Sequence, residues 1–149
     1  MSTGTKKRMD NNESIKKRME ECGIRPTPVR MLVAGTLCEA DAPLSLLDIE
    51  TKLDTAPKST IFRALTLFEQ HHIVHSIEDG SGSLKYEYCN CSDNHTHNEM
   101  HTHFYCERCR RTYCLKETQV PDVELPQGFT MHRANYIIKG ICAKCNQAK

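Results

Sequence analysis

Pro57-Lys58-Ser59-Thr60-Ile61-Phe62-Arg63-Ala64-Leu65-Thr66-Leu67-Phe68 is the stretch on which the fold of this chain turns. Pro57 opens a helix, and Ile61, Leu65 and Phe68 recur at the spacing of one apolar helical face. The texture changes after His72. Ile73–Ile77 and Leu84–Tyr88 read as two strands joined by the polar loop Glu78-Asp79-Gly80-Ser81-Gly82-Ser83. Working upstream, Pro43 and Ser45 open another helix, with Leu46, Leu47, Ile49 and Leu53 apolar. Before it, Thr27 is placed as an N-cap and Pro28 as the first residue of a helix carrying Val29, Leu32, Val33 and Leu37. A shorter helix is expected between Asn12 or Ser14 and Cys22-Gly23, where glycine suits the C′ position. Residues 1–10, polar and lysine-rich, are expected to be disordered. Three helices followed by a two-stranded hairpin form the winged helix-turn-helix pattern, and the Lys58 helix takes the place that enters the major groove.

That placement gives the polar residues a task. Lys58, Ser59, Thr60 and Arg63 reach phosphates and base edges, while Phe62 presses on thymine methyl groups. The competing reading puts Phe62 in the core and leaves the polar residues merely solvated. It would be preferred for an isolated helix, but the preceding helices and following hairpin favour DNA. Charge points the same way. Eight basic residues (6, 7, 8, 16, 17, 18, 25 and 30) stand against four acids (10, 13, 20 and 21) through position 35, in a chain whose total is only +1. A solvated basic helix face would look the same by charge alone.

The last third has a different chemistry. Cys106-Glu-Arg-Cys109 and Cys142-Ala-Lys-Cys145 are two Cys-x-x-Cys pairs, and four thiolates so spaced can close a tetrahedral Zn²⁺ site. Residues 110–141 lie between the pairs, so a strand or short helix must fold between the two knuckles. A redox pair of thioredoxin type lacks its βαβ context here. Upstream, Cys89, Cys91, His95, His97, His101 and His103 leave ligands over for a second metal. Residues 103–107 and 111–115 suggest a hairpin around the first pair, 118–127 an irregular stretch, and 129–141 a strand. The chain has 149 residues, 38% of them hydrophobic, which suits two small domains, one stapled by metal, better than one large core. Nine cysteines and no apolar run of membrane length are expected of a cytoplasmic, metal-binding protein.

Four ordered signatures, Arg25-Pro-Thr-Pro-Val-Arg30, Lys58-Ser-Thr-Ile-Phe-Arg-Ala-Leu65, His101-Thr-His-Phe-Tyr-Cys106-Glu-Arg-Cys109 and Gly140-Ile-Cys142-Ala-Lys-Cys145, resemble those of the ferric uptake regulator family. The resemblance covers the chain from about Ile15 to Cys145. It implies an α+β protein: a winged-helix DNA-binding domain (11–88), a His/Cys-rich hinge (89–100), and a small C-terminal α/β dimerisation and metal-binding domain (101–149). It implies a homodimeric, metal-dependent repressor on a palindromic operator, with structural zinc on Cys106, Cys109, Cys142 and Cys145. Arg25 and Arg30 join the DNA-contacting set. A sensory site on His75, Cys89, His101 and His103 looks most like the zinc uptake regulators, since thiolate with imidazole favours Zn²⁺. Cys91, His95, His97 and Cys114 remain alternates.

Other readings stand beside this one. An iron- or peroxide-responsive regulator would keep the fold but want imidazole and carboxylate ligands, and Cys89 counts against it. A zinc enzyme would need a motif such as His-Glu-x-x-His, which the chain lacks. A structural zinc adaptor would leave the winged-helix signatures unexplained. Cys22 and Cys38 are expected as packing residues, His132 as a strand residue, and His71 and His72 as helix-terminal groups suited to the dipole.

Overall fold

The computed structural model describes residues 3–88, 102–115, 118, 121–132 and 134–148, with side chains from residue 9 onward. The chain divides into two compact units, Met1–Ile77 with Leu84–Asn90, and Glu78–Ser83 with Cys91–Lys149.

The first unit begins with α1 (Thr3–Glu21), followed by α2 (Pro28–Glu39), β1 (Leu44–Ser45), α3 (Leu46–Lys52) and α4 (Lys58–Gln70). Two strands follow, β2 (Val74–Glu78) and β3 (Leu84–Tyr88), in a sheet of order β1-β3-β2. Local chemistry sets the starts. Thr27 caps α2 by accepting from the Arg30 amide, with Pro28 next in line. Ser45 and Asp48 form a reciprocal capping box on α3, at 3.1 and 2.9 Å. Ile15 and Met19 of α1, Val33 and Leu37 of α2, Ile49 of α3, and Ile61, Leu65 and Phe68 of α4 converge with Val74 and Tyr86 in one buried cluster. Cys22 and Cys38 pack against it, partly buried, in keeping with the packing role.

The start of the chain differs from the expectation of a disordered tail, because α1 is already helical at Thr3. Residues 5–22 contain neither glycine nor proline, and Ile15 and Met19 anchor the helix, so propagation toward the N-terminus adds a hydrogen bond for each residue ordered. Two helices then stop in the same way. Gly23 is left-handed (φ 75°), and Ile24 N–H bonds back to the Met19 carbonyl at 2.8 Å. His72 is left-handed too (φ 57°), and Ile73 N–H reaches the Phe68 carbonyl at 2.9 Å. Both are Schellman terminations, one with the glycine such a turn favours and one without it.

The second unit is built on β4 (Thr102–Cys106), β5 (Thr112–Leu115) and β6 (Tyr136–Gly140), in the order β5-β4-β6, with a one-turn helix α5 (Ala143–Gln147) after β6. β5 runs antiparallel and β6 parallel to the central β4. The expected strand over 129–141 is shorter, and His132 lies outside it in exposed irregular chain. Pro121, Pro126 and the left-handed Gly128 break the backbone ahead of β6. The segment Glu78–Ser83 also belongs to this unit. Asp79 is buried, accepting from Thr112 Oγ1 at 2.5 Å and from the Ser81 amide at 2.9 Å, and Asn135 Nδ2 donates to the Glu78 carbonyl at 2.8 Å.

Candidate metal centre and nucleic-acid interface

β4 ends on Cys106, and its parallel pairing with β6 sets Cys106 opposite Gly140. That register delivers Cys142 and Cys145, two and five residues on, to the knuckle that carries Cys109. The sulfurs of Cys106, Cys109, Cys142 and Cys145 all lie within 4.8 Å of one another, and Cys109 Sγ is 3.9 Å from Cys142 Sγ. A Cβ at Gly140 would sit 3.1 Å from the Phe104 ring, closer than ordinary contact, so glycine lets the strands cross here without displacing that ring.

The surroundings favour thiolates. Burial pushes the Cys106 thiol up, but amides directed at its sulfur from Cys109, Cys142 and Arg108 bring it down to about 6. Two of these amides lie 3.5 Å (Cys109) and 3.3 Å (Cys142) from the sulfur. Cys142 is also lowered, foremost by the Tyr113 hydroxyl, whose own pKa is pushed up to about 12 by that bond. Cys145 goes the other way, to about 12, because its hydrogen bond with Cys142 and its burial favour the protonated thiol. Four convergent sulfurs with backbone N–H support are the donor set of a closed tetrahedral Zn²⁺ site, in which the cation displaces the remaining protons. Such a site supplies folding energy and leaves no position open for catalysis. Tyr113 and Arg108, which donates to the Cys145 carbonyl at 3.0 Å, were not singled out from sequence. The only signal for Tyr113 was its place in the strand following the knuckle.

A second pair of donors meets across the same hairpin. His103 on β4 pairs directly with Cys114 on β5, and their ligand atoms lie within 4.8 Å. His103 is buried and Cys114 half-buried. The sequence left Cys114 among the alternates, and the hairpin register is what sets it beside His103. His75 lies on β2 in the first unit, with its Nε2 shielded from solvent. Cys89, Cys91, His95, His97 and His101 lie outside the described residues.

The polar face of α4 forms the other candidate surface. Ile61, Ala64, Leu65 and Phe68 are buried, while Lys58, Ser59 and Arg63 are exposed and Thr60 is partly so. Phe62 is 50% exposed, which removes it from the core. Pro57 precedes α4 without a side-chain cap and its first turn has no acid, so the positive end of the helix dipole faces outward unopposed by its own residues. Arg25 is exposed, and Arg30 Nη1 donates to the Arg25 carbonyl at 2.8 Å. One guanidinium therefore braces the turn that presents the other.

Comparison with known proteins places these features. The profile of the ferric uptake regulator family matches residues 21–139. The chain belongs to the ferric uptake regulator family. Ferric uptake regulation protein of Campylobacter jejuni is 26% identical over 150 residues, covering 92% of this chain and 89% of that protein. A zinc uptake regulator solved with zinc and DNA superposes with a TM-score of 0.69 at 21% identity, over 95% of this chain and 96% of that one. The Helicobacter pylori ferric uptake regulator, described as having three functional metal-binding sites, gives a TM-score of 0.59 at 17% identity, over 91% and 93% of the two chains. Members of this family are DNA-binding transcription regulators, not enzymes, which removes the zinc-enzyme and adaptor readings. Among the described residues, no helix is long and apolar enough to cross a membrane.

Proposed function

We propose that this regulator is a zinc-responsive repressor of metal-uptake genes, acting in the cytoplasm as a homodimer on a palindromic operator. The observation that carries the zinc assignment is the pairing of Cys114 with buried His103, a thiol beside an imidazole at the end of the His101-Thr-His103 signature. A sulfur donor beside an imidazole favours Zn²⁺ over the harder Fe²⁺. His103 with Cys114 or His101, together with His75 and Cys89, is the proposed sensory set, and Cys91, His95 and His97 are its alternates. Cys106, Cys109, Cys142 and Cys145 hold the structural zinc. Lys58, Ser59, Thr60, Phe62 and Arg63, with Arg25 and Arg30, form the DNA face, and the basic residues account for the salt dependence that phosphate contacts bring.

Metal can raise DNA affinity only by binding the DNA-competent conformation more tightly than the alternative. A 100-fold effect requires about 2.7 kcal/mol of such preference. A second reading, iron sensing, also has support: the curated relative from C. jejuni is a ferric uptake regulation protein, and the H. pylori structure is a ferric uptake regulator. One experiment separates the two. Metal content is measured by mass spectrometry before and after mild chelation, and DNA binding is titrated with Zn²⁺ and, anaerobically, with Fe²⁺. One retained zinc per chain, plus a removable ion whose replacement by Zn²⁺ restores binding at far lower free concentration than Fe²⁺, is the expected result. Preference for Fe²⁺ would transfer the protein to the iron reading. Metal-independent DNA binding would end both.

A further inference from the structure

Glu78-Asp79-Gly80-Ser81-Gly82-Ser83 joins β2 to β3, yet it belongs with the second unit, while residues 74–77 and 84–88 belong with the first. Thr112 on β5 and Lys139 on β6 both pair with Tyr105 on the central β4, so the three stand in one row on one face of the sheet. The loop is fastened along that row. Asp79 accepts from the Thr112 hydroxyl at 2.5 Å, and both residues are only 1% exposed. A Cβ at Gly80 would collide with the end of the Lys139 side chain, so these two lie in contact. Asn135, just ahead of β6, donates to the Glu78 carbonyl at 2.8 Å. We infer that Asp79 and Thr112, supported by Asn135, are positioning residues that make this loop a tether, through which the dimerising unit sets the spacing of the two recognition helices. The inference rests on the reading above of a homodimer on a palindromic operator.

The chemistry of the loop suits a tether better than a DNA contact. It carries two acids and no base, so phosphates repel it. Its buried aspartate is directed inward, with Oδ1 taking the Ser81 amide at 2.9 Å and Oδ2 taking the Thr112 hydroxyl. A carboxylate stays buried only while donors satisfy it, and hydrogen bonds to an ionised acceptor are the strong ones. Loss of the Thr112 hydroxyl therefore favours return of Asp79 to water and release of the loop. The hairpin carries the hold onward. Val74 of β2 and Tyr86 of β3 share one buried cluster with Ile61, Leu65 and Phe68, so the strands and α4 move as one body. A loop fixed at both strand ends thus fixes the helix packed beneath them.

A contact that merely stabilised the fold would weaken every DNA complex alike, whereas a tether governs spacing, and that difference sets the test. Full-length, zinc-loaded protein is titrated with a palindromic duplex that the wild type selects from a random pool. Dissociation constants are measured for that duplex, for a single half-site, and for a version lengthened at its centre by two base pairs, which turns one half-site by about 70°. Wild type is expected to bind the lengthened duplex about 100-fold more weakly than the selected one. Thr112→Val is expected to cut that penalty to about tenfold, chiefly by weakening the selected complex, and to leave half-site binding within about twofold. Thr112→Ser, which keeps the hydroxyl, is expected to match wild type, and Asn135→Ala to fall between the two. Circular dichroism confirms folding. Asn135 is exposed, so its variant decides the matter if Thr112→Val is unstable, and a wild-type penalty there then overturns the tether. An unchanged penalty in folded Thr112→Val, or a loss shared equally by half-site and palindrome, overturns the tether alone. A wild type that binds the palindrome no better than a half-site, or ignores the added base pairs, overturns the dimeric-operator reading and the tether together.

Discussion

Phe62 shows how one side chain can be read two ways until its surroundings are known. As a core residue its truncation would cost about 3–5 kcal/mol of stability. Half exposed on α4, it should cost little. Phe62→Ala is therefore expected to leave the melting temperature nearly unchanged while weakening operator binding roughly tenfold or more, the effect of losing a contact worth about 1–3 kcal/mol at a base edge. A melt and a DNA titration on the same preparation check it. The thiols make a prediction in pH. Cys106, depressed to about 6, contributes stability to the metal-free fold that is fully present above its ordinary value of 9.0 and is lost as pH falls through 6. Zinc competes with the same protons, so retention against a fixed chelator should hold at pH 7–8 and fail below about pH 6. Tyr113→Phe, which removes the hydroxyl donor to Cys142, should weaken retention about 10–100-fold, as losses of outer-shell partners do. Zinc content after dialysis measures both. The four cysteines were legible from their spacing alone. Tyr113 was not, because nothing in a sequence shows which strand residue faces a sulfur.

At the scale of elements, the two Schellman terminations invite a direct comparison. α1 uses Gly23 and α4 uses His72 for the same left-handed turn. A side chain there strains the backbone by roughly 1–2 kcal/mol, part of which glycine gives back as unfolded-state entropy. His72→Gly is expected to stabilise the protein by about 0.5–1 kcal/mol, read from denaturant midpoints at unchanged slope. Helix starts were largely legible, because Thr27-Pro28 and Ser45 through Asp48 carry their caps in sequence. Stops and strand partners were less so. The pairing of His103 with Cys114 follows once Cys106 and Cys109 are taken as the turn of a hairpin, since residues then match outward from the knuckle. The parallel pairing of β4 with β6 had no such anchor, because residues 121–132, ahead of β6, carry no periodicity from which a register can be counted.

For the whole molecule, the second unit exposes apolar residues that a lone chain leaves in water. Val123, Leu125, Phe129, Met131, Ile138 and Ile141 are all exposed, and Ile138 lies on the edge strand β6. A second copy would cover them, in keeping with the proposed homodimer. Ile138→Asp with Phe129→Asp is expected to shift the protein to monomer at micromolar concentration in analytical ultracentrifugation and to weaken operator binding by at least about tenfold, since the two half-sites then bind separately. The two-part organisation was legible from the change of chemistry near residue 89. The grouping of Glu78–Ser83 with the second unit was not, because it depends on Asp79 and Thr112 meeting across 33 residues of chain. One consequence of the four-cysteine knuckle reaches past the folded protein to its birth. With zinc on those cysteines, as proposed, a newly made chain would capture an ion as its second unit closes, so each regulator would consume an ion before it could report on any. In a cell starved long enough, the repressor would be lost by dilution of unfinished copies as well as by release from DNA, and recovery after resupply would wait on synthesis rather than on ion binding.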